Sequence, residues 1–440
     1  MPLLDQTPAS GYDYRHVVIV GAGFGGLACA KALGSTNIRV TVIDRHNYNL
    51  FVPLLYQVAT AALSPADIAE PIRKTLSRHP NIDVMLGEVT GVDTTERLVF
   101  IGDSNQVRYD RLVLAPGSVY SYFGHDEWAC FAPGLKSIDD ARAIRARLLL
   151  SFEQAEMCSD TERQKALMTT VIVGGGPTGV EMAGATAELA RYALARDFRH
   201  IDPRSASILL VEAGPRILAA FPEALSAYAH DLLERRGVCV LTGRVVEKIE
   251  PCGVVLNGQF VPAGTIIWGA GVKASPIGEW LGVETDRAGR IAVASDLSVP
   301  CLQGVYMVGD AAALAGEDGK LLPALAQVAK QQGAHLGMAL AASLSWNEPM
   351  PVFRFKNRGN TAVIGRNAAV FDFGNQHLKG WIAWVLWAVV HVFLLVGFEN
   401  RLSVTVQWFW HYLTYERGAR LITSAGSGTL NPEKKASSSP

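Results

Sequence analysis

Closely spaced cysteine motifs are absent from this chain, although it contains six cysteines. They are Cys29, Cys130, Cys158, Cys239, Cys252 and Cys301, and no two of them are spaced as C-x-x-C or C-x-x-x-x-C. Zinc sites and dithiol redox centres are commonly built on closely spaced cysteines, and disulfide frameworks are typical of short secreted sequences. The spacing therefore argues against a bound metal, against a dithiol redox pair and against a disulfide framework. It predicts buried free thiols in a reducing compartment.

An excess of charge of either sign is also absent, because the 440 residues carry a formal net charge of −1. Nucleic-acid binding requires clustered basic charge, so the composition predicts no nucleic-acid partner. The first 15 residues contain no apolar run after a positive charge, which a secretory signal peptide would have. We therefore expect an irregular leader and an active part in the cytoplasm, on a chain long enough for two to four domains.

Two glycine fingerprints are present, at residues 17–26 (VVIVGAGFGG) and residues 171–181 (VIVGGGPTGVE). Each follows a β-branched apolar run and precedes a stretch of small helix-forming residues, which is the context of a dinucleotide-binding turn. In such turns the first glycine permits the tight turn, the second admits a pyrophosphate and the third lets the helix pack on the strand. These positions are Gly21, Gly23 and Gly26 in the first copy and Gly174, Gly176 and Gly179 in the second.

An acidic residue ends the next predicted strand in each copy: Asp44 follows residues 40–43, and Glu212 follows residues 208–211. A carboxylate there accepts hydrogen bonds from the adenosine ribose and repels a 2′-phosphate, so Glu212 favours NADH over NADPH. A predicted helix and loop over residues 191–205 lengthen the interval before Glu212. The two copies predict an α/β fold with two Rossmann-like domains, one holding a cofactor tightly and one exchanging it, with a hydride passing between them.

Three further apolar strands end in turns: RLVLAPG (111–117), TIIWGAG (265–271) and VYMVGD (305–310). Open parallel sheets bind ligands at the carboxyl ends of their strands, so Asp310 is a cofactor-site candidate, although capping a helix is an alternative role.

Residues 45–60 (RHNYNLFVPLLYQVAT) fit the lining of a flavin pocket, without the paired cysteines of thiol–disulfide flavoenzymes. Residues 82–89 are predicted as a strand, and residues 158–165 as a polar connector.

A helix is predicted over residues 322–340, with Pro323 in its first turn. Gln327 and Gln331 are four residues apart and share a face of this helix, with Gln332 and His335 to the side. Amides both donate and accept hydrogen bonds, which suits a quinone in either redox state. On the pattern alone, surface glutamines are the simpler interpretation.

The C-terminal part contains a long uncharged run, residues 381–398 (WIAWVLWAVVHVFLLVGF). At ~1.5 Å per residue a helix over this run is roughly 27 Å long, which is marginal for crossing a bilayer. Residues 402–423 follow and suit an interfacial helix, because they contain Trp408, Phe409, Trp410, Tyr412, Tyr415, Arg417 and Arg420. Anchoring in the membrane interface is favoured over a core helix of a dimer interface and over a spanning helix, and residues 424–440 are predicted to be disordered.

From about residue 16 to residue 423, the chain resembles the type II NADH dehydrogenases, which are single-subunit NADH:quinone oxidoreductases that do not pump protons. The matching stretches are GAGFGG, DRHNYNLF-x-PLLYQVATAALSP, YDRLVLAPGS-x-YSYFG, GGGPTGVEMAG, ARDFRHIDP, VEAGPRIL, AGVKASP, GDAA, AQVAKQQG and the tryptophan-rich end. Two positions depart from the family pattern, Val52 in place of a frequent glutamine and Pro116 in place of the threonine of an ATG turn. The family places both positions near the flavin.

The resemblance implies a two-dinucleotide-binding-domain flavoprotein fold of the glutathione-reductase type, with C-terminal amphipathic membrane-anchoring helices. It implies that FAD is held non-covalently by Gly21, Ala22, Gly23, Gly25, Gly26, Asp44, Arg45, Val89, Ala115, Gly117, Asp310 and Ala326. It implies an NADH site at Gly174, Gly176, Pro177, Thr178, Gly179, Glu181, Glu212 and Gly271. The implied catalytic residues are Glu181, for the nicotinamide and a proton, and Gln327 and Gln331, which occupy the quinone signature AQ-x-A-x-Q-x-G.

The implied domains are an FAD domain in two parts (1–135 and 291–370), an NADH domain (136–290), a membrane-anchoring region (371–425) and a tail (426–440). The implied activity is FAD-dependent oxidation of NADH with two-electron reduction of a membrane quinone, ubiquinone or menaquinone, in respiratory electron transport. The implied form is a homodimer bound peripherally, through its C-terminal helices, to the cytoplasmic face of the inner membrane.

Two alternatives stay open on the sequence alone. One is a sulfide:quinone reductase-like flavoenzyme, which needs reactive cysteines beside the flavin. Cys130 and Cys158 could be misread in this way, but the intact second fingerprint with Glu212 argues against it. The other is a nucleotide-responsive membrane-docking module without turnover.

Overall fold

The computed structural model describes residues 15–395, 397–414 and 418–422, and the chain divides into two compact units. The first unit consists of Met1–Leu50, Ala69–Tyr120 and Val272–Arg358, and the second of Phe51–Ile68, Ser121–Gly271 and Gly359–Pro440. The predicted leader up to residue 14, the predicted tail from residue 424, and Tyr415 and Arg417 lie outside the described residues.

The strands are numbered in chain order. They are β1 His16–Val20, β2 Arg39–Asp44, β3 Tyr48–Leu50, β4 Ala69–Pro71, β5 Ile82–Leu86, β6 Val89–Asp93, β7 Leu98–Ile101, β8 Asn105–Arg108, β9 Arg111–Leu114, β10 Ser118–Tyr120, β11 Thr169–Val173, β12 Ser207–Glu212, β13 Val238–Thr242, β14 Val246–Glu250, β15 Gly253–Leu256, β16 Gln259–Pro262, β17 Thr265–Trp268, β18 Val272–Ala274, β19 Ile291–Ala292, β20 Val305–Met307, β21 Ala312–Ala313, β22 Asn360–Gly365, β23 Ala368–Asp372 and β24 His377–Gly380.

The α-helices are numbered in the same way. They are α1 Phe24–Leu33, α2 Leu55–Ala59, α3 Pro65–Ile68, α4 Ile72–Leu76, α5 Ile138–Glu156, α6 Thr161–Leu167, α7 Pro177–Glu188, α8 Glu223–Arg235, α9 Gly278–Leu281, α10 Ala326–Trp346, α11 Trp381–Leu394 and α12 Phe398–Thr414. A π-helical turn, Leu189–Ala193, follows α7 directly.

The first unit is built on a five-stranded parallel sheet with the order β20-β9-β1-β2-β5. Strand β1 is almost entirely buried, as expected for an apolar β-branched strand in the middle of a parallel sheet. Helices α1 and α10 pack against each other at glycines: a Cβ on Gly333 would lie 1.9 Å from the carbonyl oxygen of Gly25. The small residues therefore bring α10 directly onto the helix that begins at the first fingerprint.

The second unit contains a four-stranded parallel sheet with the order β13-β12-β11-β17 and an antiparallel sheet, β22-β23-β24. Helix α7 connects them, because it follows β11 and packs on β22. Gly184 permits this contact, since a Cβ there would lie 2.0 Å from the carbonyl oxygen of Ile364. The helix that begins at the second fingerprint therefore follows β11 at its N-terminus and packs on β22 at Gly184.

The C-terminal part forms two helices, α11 and α12, rather than one long helix. Helix α11 ends at Leu394, and Gly397 has a φ of +88°, a left-handed backbone that interrupts the apolar run. Within the described residues, no helix is long and apolar enough to cross a membrane. Helix α12 is tied to the rest of the second unit by Asp67, whose Oδ1 accepts hydrogen bonds from Ser403 Oγ and Gln407 Nε2, both at 2.9 Å.

Four predicted element boundaries are wrong. The interfacial helix predicted over residues 402–423 begins earlier, at Phe398, and the described residues 418–422 are not helical. Residues 158–165 are not a plain connector, because α6 begins at Thr161 after an Asp160 cap that accepts from the backbone N–H groups of Glu162 and Arg163. Helix α10 begins at Ala326, so Pro323 precedes the helix and is not in its first turn. The strand predicted over residues 82–89 is two strands, β5 and β6, with an interruption at residues 87–88.

The division into units also differs from the predicted domain boundaries at residues 135, 290 and 370. The chain passes between units at residues 50/51, 68/69, 120/121, 271/272 and 358/359. The segment Phe51–Ile68 belongs to the second unit because α2 packs on α5 and α7, and α3 packs on α12. These helix contacts join segments that are far apart in the sequence, so local sequence patterns could not predict them.

Candidate functional site

The first fingerprint forms a turn whose glycines leave no room for side chains at two of three positions. Gly21 has a φ of +93°, and a Cβ on it would lie 2.2 Å from the carbonyl oxygen of Ala115. A Cβ on Gly26 would lie 1.8 Å from the carbonyl oxygen of Gly21. A Cβ on Gly23 would meet nothing within 4 Å. The turn is therefore closed at its first and third glycines and open at the second, as a pyrophosphate cradle requires.

Asp44 ends β2 and shapes the same turn. Its Oδ2 accepts a hydrogen bond from the Ala22 N–H at 2.6 Å, and its Oδ1 accepts one from the His46 N–H at 2.7 Å. The carboxylate therefore lies beside the cradle, where an adenosine ribose would meet it, and Arg45 beside it is exposed.

The remaining candidates of the first unit gather mainly at the carboxyl ends of its parallel strands. Ala115 and Gly117 follow β9, and Asp310 follows β20 in a short 3₁₀ turn. Asp310 does not cap that turn but accepts a 2.5 Å hydrogen bond from Ser118 Oγ. The other positions are Gly25, where a Cβ would lie 3.0 Å from the Val308 side chain, Val89, the buried first residue of β6, and Ala326, the first residue of α10.

Gln327 and Gln331 of α10 are hydrogen-bonded to the backbone of residues 356–358. Gln331 pairs with Lys356 twice, donating from Nε2 to its carbonyl at 2.9 Å and accepting from its N–H at 3.1 Å. Gln327 Oε1 accepts from the Arg358 N–H at 3.1 Å. Gln332, which sequence reasoning placed at the side, is buried, and its Oε1 accepts from the Gly309 N–H at 2.7 Å. These amides therefore hold backbone segments of the first unit in place.

The second fingerprint repeats the geometry of the first. Gly174 has a φ of +106°, and a Cβ on it would lie 2.6 Å from the Ala270 backbone. A Cβ on Gly179 would lie 1.8 Å from the Gly174 carbonyl oxygen, whereas one on Gly176 would meet nothing within 4 Å. Pro177 begins α7, Thr178 beside it is exposed, and Gly271 is close to the end of β17. The second cradle is thus open at its middle glycine too.

Glu212 takes the place in the second cradle that Asp44 takes in the first. Its Oε2 accepts from the Gly175 N–H and its Oε1 from the Gly214 N–H, both at 2.6 Å. The predicted pairing of each glycine turn with an acid at the end of the next strand is therefore present in both units. The longer interval before Glu212 contains the π-helical turn and a 3₁₀ turn, Pro203–Ser205.

A cleft of about 830 Å³, part of which opens to solvent, lies in the second unit beside α7. Its lining comes from five separate stretches of the chain, including one on each of the helices α11 and α12. The lining residues are Tyr56, Gln57, Thr60, Ala62, Glu181, Ala185, Glu188, Tyr192, Val363, Gly365, Arg366, Trp384, Trp387, Trp408, His411 and Tyr412. Most of these side chains are aromatic or apolar, which suits a planar apolar ligand.

Glu181 faces this cleft from the second turn of α7. Burial raises the pKa of Glu181 to about 8, because the carboxylate would lose its hydration, and a hydrogen bond from the Val363 N–H opposes that shift only in part. The bond is long, at 3.4 Å. The pKa shift favours the protonated form of the Glu181 carboxyl group, which borders the cleft on one side.

The aromatic wall of the cleft is held by hydrogen bonds that sequence reasoning missed. Trp408 stacks on Trp387 with ring centroids 5.1 Å apart, and its Nε1 donates to Gln57 Oε1 at 2.8 Å. Gln57 is buried and donates from Nε2 to the Tyr56 hydroxyl at 2.9 Å. Residues 45–60 and the C-terminal tryptophans stood out in the sequence, but no pattern indicated that they meet.

Comparison with known proteins decides the family. The family model described as pyridine nucleotide-disulphide oxidoreductase matches residues 15–333. The chain is 40% identical to the type II NADH:quinone oxidoreductase Ndh of Mycobacterium tuberculosis, covering 95% of this chain and 92% of that protein. It is 37% identical to a second such protein of that organism, NdhA, covering 96% of this chain and 93% of the relative. The chain belongs to the type II NADH dehydrogenases.

A solved structure of this class has the same fold. NDH2 from Plasmodium falciparum in complex with NADH superimposes with a TM-score of 0.85 at 20% identity, covering 93% of this chain and all of that one. Although the matching family model is named for disulphide enzymes, all six cysteines of this type II NADH dehydrogenase lie within the described residues and are free thiols. Only Cys29 of the six is buried, where burial raises the pKa of its thiol to about 12, so the prediction of buried thiols is wrong for the other five.

Proposed function

We propose that this protein oxidises NADH with the help of a tightly held FAD and passes two electrons to a membrane quinone without pumping protons. The observation that carries the proposal is the course of α7, which begins at the second cradle and presents Glu181 to the aromatic cleft in its second turn. A nucleotide site and a site for a planar apolar ligand are thus built on one helix of one unit.

The first cradle fits FAD. The open position at Gly23 leaves space for a pyrophosphate, and Asp44 lies where the adenosine ribose would be. Gly117, with a φ of +70° and nothing within 4 Å of its Cβ position, would leave room for the flavin half, with Asp310 beyond it on the ribityl side. When bound, FAD supplies a ring that accepts a hydride from NADH and returns two electrons to a quinone.

The second cradle fits NADH. Gly176 would admit the pyrophosphate at the N-terminus of α7, and Glu212 would accept hydrogen bonds from the adenosine ribose. The same carboxylate would repel the 2′-phosphate of NADPH, because two negative charges would meet in a half-buried site. The nicotinamide half would extend toward Gly271.

Replacing Glu212 with alanine should narrow the preference for NADH over NADPH by about tenfold, a loss of about 1.4 kcal/mol of discrimination. The expected cause is removal of the repulsion and of the ribose hydrogen bonds. Initial rates with each nucleotide over a range of concentrations give the two values of kcat/KM. Glu162→Ala, at an exposed position on α6, is the control, and an unchanged ratio in the Glu212 variant would contradict the assignment.

The aromatic cleft fits a quinone ring, and Glu181 would serve it as a proton-holding group. Reduction of a quinone to a quinol takes two electrons and two protons, whereas NADH supplies a hydride, so one proton must come from elsewhere. A carboxyl group whose pKa is about 8 holds such a proton at neutral pH. The same residue remains our proposed contact for the nicotinamide.

Gln327 and Gln331 remain proposed quinone contacts because they occupy the family signature in α10; neither is a lining residue of the aromatic cleft. Both amides are bonded to residues 356–358. Replacing either glutamine should therefore displace residues 356–358 and should also remove the proposed direct contact with the quinone. In a Gln331→Ala variant, we expect NADH to reduce the flavin at the normal rate and the quinone to reoxidise it more slowly.

The C-terminal helices would attach the enzyme peripherally to the membrane. Large side chains on α11 and α12 are more than half exposed, namely Trp381, Ile382, Val389, Phe393, Leu402, Val406, Phe409 and Trp410. Tryptophan and phenylalanine with flanking cations suit the boundary between headgroups and acyl chains. We place this surface at the cytoplasmic face of the inner membrane, in a homodimer.

Anaerobic stopped-flow absorbance on the detergent-purified protein tests the two halves of the reaction separately. Mixing with NADH should bleach the flavin within the time of one turnover, and a short-chain quinone should then restore its absorbance. Bleaching without recovery would contradict the quinone assignment alone. Absence of bleaching would contradict the NADH assignment and would favour a sulfide donor, or a nucleotide-binding module without turnover if NADH still binds.

A further inference from the structure

The ring of Phe123 lies against the chain just after β17, at a position that the fingerprints do not indicate. A Cβ on Gly271 would lie 2.6 Å from Phe123 Cζ, so the edge of the ring meets the glycine backbone. The side chain is nevertheless 67% exposed. Most of this large apolar ring is therefore open to a ligand beside Gly271.

The backbone at Phe123 is in a left-handed conformation, with a φ of +53°. Bulky residues rarely adopt it, because the Cβ crowds the backbone. Neighbouring bonds hold it there: Ser121 N–H donates to the Gly271 carbonyl at 3.2 Å, and Trp268 Nε1 donates to the Ser121 carbonyl at 3.0 Å. Buried Tyr122 stacks on Trp268 with ring centroids 5.0 Å apart. Strain held by surrounding structure is commonest at functional sites.

The order of the strands indicates which half of a dinucleotide reaches this point. In the order β13-β12-β11-β17, Glu212 at the end of β12 and Gly271 after β17 lie on opposite sides of the turn that follows β11. A dinucleotide with its adenosine ribose at Glu212 and its pyrophosphate at Gly176 would extend toward β17. The nicotinamide half of such a dinucleotide would therefore end beside Gly271.

We propose that Phe123 is a positioning residue for the nicotinamide half of the nucleotide, with its exposed ring packing against the nicotinamide riboside. The inference rests on the proposed NADH site in the second cradle. Contact with an aromatic ring favours a defined orientation of a planar heterocycle, because offset and edge-to-face arrangements are preferred over others. Phe123 would thus orient the nicotinamide without taking part in bond making.

A matched set of variants separates this role from a structural one. Phe123→Ala removes the ring and Phe123→Tyr keeps it. Phe260→Ala is the control, because Phe260 is 44% exposed and its ring also lies over a glycine, 2.7 Å from a Cβ position on Gly253, but in the β14-β15-β16 sheet. The FAD-loaded, detergent-purified protein is titrated with NAD⁺ and with ADP-ribose, which lacks the nicotinamide.

Phe123→Ala should raise the Kd for NAD⁺ and the KM for NADH by roughly three- to tenfold. The Kd for ADP-ribose and the KM for the quinone should not change. Phe123→Tyr and Phe260→Ala should match the unaltered protein in all four constants.

Equal weakening of NAD⁺ and ADP-ribose would overturn the inference, because it would show that the substitution disturbs the whole cradle. Unaltered binding of both ligands would overturn it as well. Phe123→Leu provides the same comparison if the alanine variant does not fold. Failure of the proposed function gives a different result, in which the unaltered protein itself is not bleached by NADH.

Discussion

Replacing Glu181 with glutamine should lower the turnover of NADH with quinone by about a hundredfold, the low end of what a positioned proton donor contributes. The glutamine keeps the shape of the side chain but cannot release a proton. Steady-state assays from pH 6 to pH 10 provide the test. Turnover of the unaltered protein should fall as the pH rises through about 8, where Glu181 loses its proton. The variant should lack this fall.

Glu223→Gln is the control, at an exposed carboxyl group at the start of α8. Wild-type turnover and an unaltered pH profile in Glu181→Gln would contradict the proton-holding role. Unfolding provides a second readout that does not depend on activity. Because the pKa of Glu181 rises from an ordinary 4.5 to about 8 on folding, the free energy of unfolding should fall as the pH rises between those values. The glutamine variant should lack that contribution to the pH dependence.

Replacing Gly176 with alanine should raise the KM for NADH by at least tenfold while leaving the folded protein as stable as before. The added methyl group meets no atom of the protein within 4 Å, but it occupies the place where the pyrophosphate approaches the backbone. Flavin content should be normal. Stopped-flow bleaching at increasing NADH concentration measures the loss, and thermal unfolding monitors the fold.

Two further glycine variants act as controls for Gly176→Ala. Gly23→Ala adds a methyl group at the matching open position of the first cradle, so it should reduce flavin retention. Gly179→Ala places a Cβ 1.8 Å from the Gly174 carbonyl oxygen, so it should lower the unfolding temperature as well as NADH binding. Wild-type affinity for NADH in Gly176→Ala would show that the nucleotide does not use the second cradle.

The two cradles could be predicted from the sequence because their determinants are close together along the chain. A β-branched strand, three glycines and the acid that ends the next strand are enough to specify the turn and its partner. The structure places Asp44 and Glu212 against their glycine turns as expected. Spacing rules work here because the Rossmann unit is itself a local structure.

The cleft could not be predicted, because its walls come from stretches separated by more than 300 residues. Periodicity shows that α11 and α12 are apolar, but it does not show which of their tryptophans face inward. Trp387 is 2% exposed and stacks on Trp408, whereas Trp381 and Trp410 are more than half exposed. A buried glutamine, Gln57, decides the position of Trp408 from a distant segment. Long-range hydrogen bonds of this kind leave no local pattern.

Helix α7 contributes to the proposed sites of both substrates, the nucleotide cradle and the aromatic cleft. Gly176 and Glu181 are separated by five residues of one helix, or roughly 7.5 Å along its axis, and Gly184 keeps that helix against Ile364. A compound that wedges the cleft open would therefore shift the nucleotide cradle with it. Such inhibitors should show mixed rather than noncompetitive inhibition with respect to NADH. Resistance substitutions in the cleft should also change the affinity for the nucleotide.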